Sequence, residues 1–252
     1  MKIAIISDIH GNMEALESVL ADIELEDCDK IFCLGDLAMA GPEPSRTIDK
    51  IQELTETKDF ILIQGNTDEM IANWDDNQIQ ELKKISEVMG NALESDQKIL
   101  SAQQKEFLRN LPPTLELTLL GVKIFLCHGS PRKNNENISP GLPIEQIEEM
   151  IAGINVNAAN VIFAGHTHLP AGYQTNTKQT VVNVGSVGRP FTPKPKSCYA
   201  IMEIGENSEF TVRHNFVKYD NEKAAEKLRK RNFSGADKLA GMLIQPVERY
   251  PK

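Results

Sequence analysis

No stretch of this sequence is long and apolar enough to cross a bilayer; its uninterrupted apolar runs last only a handful of residues, against the roughly 20 a spanning helix needs. Cysteine is scarce, and the four that occur, Cys28, Cys33, Cys127 and Cys198, lack the paired spacing of a zinc or redox motif. Cys33 and Cys127 fall inside apolar runs, where a reduced, buried thiol is expected. Aromatic residues make up only 6% of the chain, with one tryptophan, Trp74. Positive charge is in deficit. Lys and Arg total 27 against 36 Asp and Glu, a net charge of −9, which argues against a protein that grips long nucleic acid by neutralising phosphates. A local positive pocket for a small anion stays open. There is no internal repeat, no low-complexity segment and no basic, apolar, cleavable leader, so a cytoplasmic protein is the expectation. A chain of 252 residues can bury a full core as a single domain, residues 1–252.

What the chain does have is one local pattern used five times. Lys2-Ile3-Ala4-Ile5-Ile6 runs into Ser7-Asp8-Ile9-His10-Gly11-Asn12. Ile31 to Leu34 ends in Gly35-Asp36, and Phe60 to Ile63 ends, after Gln64, in Gly65-Asn66. Val122 to Cys127 ends in His128-Gly129, and Val161 to Ala164 in Gly165-His166-Thr167-His168. Each run is short and β-branched or aromatic, as a buried strand is, and each is followed at once by small residues carrying Asp, Asn or His. That pattern delivers ligands from strand ends to a common crevice. Asp8 and His10, two positions apart, point the same way from an extended segment.

Between these ends the order is strand, helix, strand, helix, strand over the first 66 residues, with helices at Met13–Leu25 and about Glu43–Leu54. Such alternation predicts a parallel sheet with its functional loops on the carboxyl edge. From Asp68 to Asn110 the pattern turns helical, and this insert, starting just after Asn66, is placed to cover the crevice as a cap. Trp74 within it is either a packing residue or a stacking platform for a nucleobase. Leu115–Leu119 and the next run read as a hairpin that opens a more antiparallel half, followed by a helix from Pro143 to Ile154. Later come strands at Thr180–Val184, Ser197–Ile204 and Glu209–Tyr219, and a helical tail over residues 221–252.

The strand-end residues sort into two overlapping sets of oxygen and nitrogen donors that Asp36 can bridge. A carboxylate shared by two divalent cations holds them about 3.5–4 Å apart, the spacing used for in-line displacement at phosphorus. With no cysteine in the set, and with much nitrogen, the donors favour Mn²⁺ or Fe, with Zn²⁺ as a further candidate, over Ca²⁺ or Mg²⁺.

Asp8-x-His10, Gly35-Asp36, Gly65-Asn66, His128-Gly129 and Gly165-His166-x-His168 together resemble the signature of the calcineurin-like metallophosphoesterase superfamily, in family order across residues 8–168. The resemblance implies an α/β fold, a four-layer α/β/β/α sandwich of two mixed sheets flanked by helices. It also implies metal ligands: Asp8, His10, Asp36 and His168 for a first cation, and Asp36, Asn66, His128 and His166 for a second. Asp36, Asn66 and His166 would thereby be catalytic residues of a dinuclear phosphoesterase in which a metal-bridging hydroxide attacks phosphorus. Arg132 and Arg189 are candidates to bind the nonbridging oxygens. His214, outside every motif, reads as structural. The sequences Asp8–Asn12, His128–Pro131 and Asn183–Gly188 are similar to the small bacterial and archaeal phosphodiesterases, including asymmetrical diadenosine tetraphosphate hydrolases. Small phosphorylated substrates follow, either a dinucleoside polyphosphate or a nucleotide diester.

One position departs from the pattern. Many superfamily members carry histidine directly after the metal-binding asparagine, where this chain has Thr67, whose hydroxyl cannot act as an acid near neutral pH. Phosphodiester or phosphoanhydride cleavage is therefore expected rather than broad monoester hydrolysis. Asp68, next in line, is expected to be a solvated carboxylate capping the insert's first helix, with replacement of the missing acid as the other option. Two rival functions remain: a metal-dependent nuclease, which would want a basic groove, and a non-catalytic scaffold, which would want missing ligands.

Overall fold

The computed structural model describes residues 1–57, 59–152 and 159–245. β1 (Lys2–Ile6) is apolar on both faces because both are covered: Ile3 and Ile5 enter one core, Ala4 and Ile6 another. α1 (Met13–Leu25) starts where the Asn12 side chain accepts from Ala15 N, and it buries Leu16, Val19 and Ile23 against the sheet. β2 (Lys30–Cys33), α2 (Pro44–Thr55, with proline in its first turn) and β3 (Phe60–Leu62) complete the parallel unit, β1 pairing with β2 and β2 with β3.

The insert is four helices: α3 (Asn66–Asn73), α4 (Asp76–Ile85), α5 (Glu87–Ile99) and α6 (Ala102–Arg109). It begins at Asn66 itself, which stands in the first turn of α3. Ile71, Ile79, Leu93 and Leu108 join the same core as α1 and α2, so most of the insert extends the outer helical layer. Trp74 is a half-buried packing residue of that layer.

β4 (Thr114–Leu119) and β5 (Val122–Cys127) form the expected antiparallel hairpin. α7 (Ile144–Ile151) is shorter than the expected Pro143–Ile154 helix: Pro143 is its N-cap, Ala152 is extended, and residues 153 and 154 lie outside the described residues. β6 (Val161–Ala164), β7 (Pro170–Gln174) and β8 (Thr180–Val184) follow. The sequence gives no sign of β7, because Pro170 and Gly172 break the strand pattern, and both are tolerated there because β7 is an edge strand. β9 (Ser197–Ile204) and β10 (Phe210–Val217) then return to the first sheet. α8 (Asn221–Arg229) and α9 (Ala236–Ile244) form the described part of the tail, residues 246–252 lying outside it.

Among the described residues the strands make two mixed five-stranded sheets, ordered β10-β9-β1-β2-β3 and β4-β5-β6-β8-β7. Their facing sides interdigitate through Ile3, Ile5, Phe32, Leu126, Phe163 and Met202. α1, α2, α8, α9 and the insert cover the first sheet, and α7 covers the second through Ile147, Met150 and Ile151. This is the four-layer α/β/β/α sandwich. Its register aims the carboxyl ends of β1, β2, β3, β5 and β6 at one edge.

Phe163, with no exposed surface between the sheets, should cost about 3–5 kcal/mol on truncation to alanine. Phe216→Ala on β10, where the ring is 48% exposed, should cost less than about 1 kcal/mol. Denaturant midpoints of the two variants check the layer assignment.

Candidate metal centre

The crevice exists because the turns just beyond β2 and β3 carry glycines that allow close approach. A Cβ on Gly35, where φ is +91°, would sit 2.1 Å from Gly65 N, and one on Gly65 would sit 2.2 Å from Asp36 N. Immediately beyond, the chain turns sharply. Asp8, His10, Asp36, His166 and His168 all have positive φ, between 48° and 67°. Each costs a non-glycine residue roughly 1–2 kcal/mol, and such strain persists only where the surroundings impose it.

The structure brings all seven expected ligands together. His10 Nε2 lies 3.0 Å from His168 Nε2, and His168 Nε2 lies 3.3 Å from Asp8 Oδ1. Asp36 turns one oxygen to each side, Oδ2 at 3.6 Å from His10 Nε2 and Oδ1 at 3.3 Å from His128 Nε2. Asn66 Oδ1 is 3.1 Å from His128 Nε2 and 2.7 Å from His166 Nδ1. Two compact groups result, Asp8-His10-His168 and Asp8-Asp36-His128, the donor atoms within each lying within 4.8 Å of one another. Asp8 belongs to both. Sequence reasoning gave the shared position to Asp36 alone, and both carboxylates in fact stand between the groups.

The rings are oriented from behind. Nδ1 of His10, His128 and His168 each faces a backbone carbonyl, of Met39 at 3.0 Å, Leu34 at 2.7 Å and Arg189 at 2.7 Å. Donation to those carbonyls fixes the tautomer that each ring takes when neutral, with Nε2 the lone pair turned inward. Asp8 Oδ1 is fully buried and accepts no hydrogen bond, although Asp8 Oδ2 accepts from His166 N at 3.0 Å. Two inward lone pairs 3.0 Å apart beside a buried carboxylate oxygen that accepts no hydrogen bond are unfavourable unless a cation lies among them. The donor set therefore fits divalent metal ions.

Protonation follows the same logic. Burial, then the neighbouring His168, depresses His10 to about 4, and burial, then His128, does the same to His166, so both are neutral and ready to ligate at neutral pH. Against burial, which opposes ionisation, His168 and His128 hold Asp8 below the usual carboxylate range, and His128 does so for Asp36. Burial acts to lower His128 too, but Asp36 and Asp8 outweigh it and raise it to about 10. In the cation-free cluster, then, His128 holds a proton that offsets two carboxylates.

Asp68 is corrected by the structure: it is completely buried rather than solvated. Its oxygens accept from Asp36 N at 2.8 Å, Leu37 N at 2.9 Å and Gly65 N at 2.9 Å, so it caps α3 and also ties the ends of β2 and β3 together. Burial and Asp36 push it up to about 7. Arg132 is not brought to the crevice. It is exposed, paired with Glu136 at 2.7 Å, and donates to the Glu149 carbonyl. Arg189 does border the crevice, its guanidinium 3.7 Å from Met89 Sδ and 5.9 Å from the Phe191 ring centre. His214 is structural, Nε2 meeting the Asn183 carbonyl at 2.8 Å.

A cavity of about 400 Å³ opens over the cluster, walled by Thr67, Met89, Asn137, Ser139, Arg189 and Phe191. From the insert beyond α3 only Met89 reaches it, so the cap contributes one wall rather than a lid. Sequence reasoning missed Phe191, which stacks on His168 at 4.7 Å, and the work of the loop after β8. Ser186 Oγ and Gly188 N both donate to the Asp8 carbonyl, and Asn183 Nδ2 donates to Gly165 O at 2.6 Å. The run Asn183–Gly188 was the available signal.

The sequence profile of the calcineurin-like phosphoesterase superfamily domain matches residues 1–207. An uncharacterized protein of Methanocaldococcus jannaschii is 29% identical over 240 residues, 90% of this chain and 91% of that one. A hypothetical protein from Pyrococcus horikoshii OT3 superposes with a TM-score of 0.86 at 24% identity, covering 98% of this chain and 99% of its own. A metallophosphoesterase from Sphaerobacter thermophilus gives 0.75 at 24% identity, covering 98% and 100%. At these identities the two structures share the fold.

Cation binding should displace the His128 proton, because a ligand nitrogen must be deprotonated. Calorimetric titration with Mn²⁺ at pH 7.5 in buffers of different ionisation enthalpy should show net proton release, and His128→Asn should remove most of it. The cation-free protein should also lose stability with rising pH: His128 is raised above its ordinary 6.5, so its contribution is complete below that value and fades as pH climbs through about 10.

Proposed function

The chain belongs to the calcineurin-like phosphoesterase superfamily and is a hydrolase of that class; from that premise we propose that it uses two divalent cations to cleave phosphodiester or phosphoanhydride bonds in small, nucleotide-like substrates. The observation that carries this reading is the buried Asp8 Oδ1, which accepts no hydrogen bond and is faced by nitrogens of His168, His10 and His128 at 3.3, 3.9 and 3.9 Å. Asp8, His10, Asp36 and His168 would hold one cation, and Asp36, Asn66, His128 and His166 the other. The oxygen and nitrogen donor set favours Mn²⁺ or Fe, then Zn²⁺. When bound, such cations supply Lewis acidity toward phosphoryl oxygens and lower the pKa of a water nucleophile.

The chain's own groups set the selectivity. Among the described residues Arg189 is the only lysine or arginine that lines the cavity, so it is the side chain placed to hold a nonbridging oxygen as charge builds. Thr67 lines the cavity, but its hydroxyl donates to the Ala38 carbonyl at 3.0 Å and offers the leaving group no acid. Asp68 does not line the cavity, since its carboxylate is spent on backbone amides. Leaving groups that depart without protonation, namely anhydrides and activated diesters, are therefore favoured. A single cationic side chain among the described lining residues and a cavity of about 400 Å³ support a compact substrate over a polynucleotide. With every donor position filled, nothing favours a scaffold.

Purified protein loaded with Mn²⁺ should hydrolyse a bis-aryl phosphate diester and diadenosine tetraphosphate faster than an aryl monoester. Asp36→Ala should lower kcat at least about a thousand-fold, some 4 kcal/mol of barrier, and retention of most activity would overturn the assignment. Thr67→His should raise turnover of esters with alkoxide leaving groups, toward the roughly hundred-fold a positioned acid contributes, while leaving the activated diester nearly unchanged.

A further inference from the structure

The loop after β2 has two tasks at the candidate centre: it carries Asp36, and it presents the Met39 carbonyl to His10 Nδ1. Its backbone is unusual, with φ of 54° at Asp36, 83° at Met39 and 64° at Ala40. Left-handed turns at three non-glycine residues must be held from outside. The holders are side chains of the insert and the tail. Asp68 takes the amides of Asp36 and Leu37, and the Thr67 hydroxyl takes the Ala38 carbonyl.

Farther along the loop the holder is an ion pair well away from the ligands in sequence. Asp96, on α5 and without exposed surface, accepts from Met39 N through Oδ2 at 2.8 Å. Its Oδ1 meets Arg231, in the turn after α8, at 2.6 Å. Arg231 also donates to the Gly41 carbonyl and to Ser95 Oγ, each at 2.8 Å, and stacks over Phe233 at 5.1 Å. The pair thus grips the amide just before the Met39 carbonyl and the carbonyl two residues after it. Burial pushes Asp96 up to about 6, against which Arg231 pulls, so the guanidinium is what keeps this buried group an anion.

We propose that Asp96 and Arg231 are positioning residues: through Met39 their ion pair holds the His10 imidazole with Nε2 turned to the cations, and so tunes cation affinity from the insert and the tail. The proposal rests on the two-cation reading given above. Packing alone would not require it. An ordinary buried pair joining α5 to the tail could satisfy its oxygens on helix termini, whereas here one carboxylate oxygen and one guanidinium nitrogen are both committed to the loop that orients His10.

The test is Co²⁺ titration of the full chain, read by visible absorption, alongside melting of the cation-free protein. Asp96→Asn keeps an acceptor for Met39 N but loses the pair; Arg231→Lys keeps the charge but loses the fork to Gly41 and Ser95. Each should weaken binding at one of two sites by about ten-fold and alter that site's absorption, in the range found when groups behind a metal ligand are removed. Should one variant fail to fold, the other carries the same expectation. Lys83→Met, which breaks the partly exposed Lys83–Glu94 pair between α4 and α5 at 3.1 Å, is a control within the insert and should leave Co²⁺ affinity and spectrum unchanged. Variants that melt lower yet bind Co²⁺ with wild-type affinity and spectrum would reduce Asp96 and Arg231 to packing and overturn the inference alone. A wild-type protein that binds no Co²⁺ would overturn the two-cation reading and the inference with it.

Discussion

A carboxylate oxygen removed from water with nothing donating to it is a costly thing to build into a protein, and Asp8 Oδ1 is such an atom. The rest of the architecture can be understood as what makes that arrangement tolerable. Two sheets must meet so that strand ends from both reach the same few ångströms, and backbones must turn left-handed at residues that resist it. Histidine rings must be pinned from behind by carbonyls of Leu34, Met39 and Arg189 so that their lone pairs converge instead of rotating away. Dispersed, these features would each be a defect; concentrated at one edge, they form a preorganised trap for positive charge.

The helical insert gains a different meaning in this light. Starting at Asn66 itself, it invites interpretation as a cover over the crevice, yet beyond α3 it sends only Met89 to the cavity wall. Its polar side chains Thr67, Asp68 and Asp96 instead look backward, into the loop that follows β2. The insert behaves as a buttress. Local backbone strain is offset by hydrogen bonds brought in from elements distant in sequence, and this is why the loop's geometry is invisible to any reading of the loop alone.

That distinction marks what was legible in the amino-acid order. The strand ends were, because short apolar runs stopped by Gly-Asp, Gly-Asn or His-Gly carry both a secondary-structure signal and a chemical one. The outer layer over the first sheet was legible through helical spacing at Leu16, Val19 and Ile23 and its recurrence in the insert. Arg132 was misplaced because charge and proximity to His128 say nothing about direction; four residues on, Glu136 claims the guanidinium. Asp68 looked like a solvated cap because its burial depends on β2 and β3 closing around it. β7 hid behind a proline and a glycine that only an edge position tolerates, and Phe191 was unremarkable until the chain folded it onto His168.

β1 is made well before its second neighbour in the sheet, β9, with Lys2 opposite Glu203. While the ribosome adds the intervening segment, one side of a strand apolar on both faces stays unpaired. At about 5–20 residues per second, that interval is on the order of 10–40 s. An open edge of this kind is a template for pairing with other chains. β1 is therefore an aggregation hazard during synthesis, and the hazard lasts until β9 emerges and takes the vacant place.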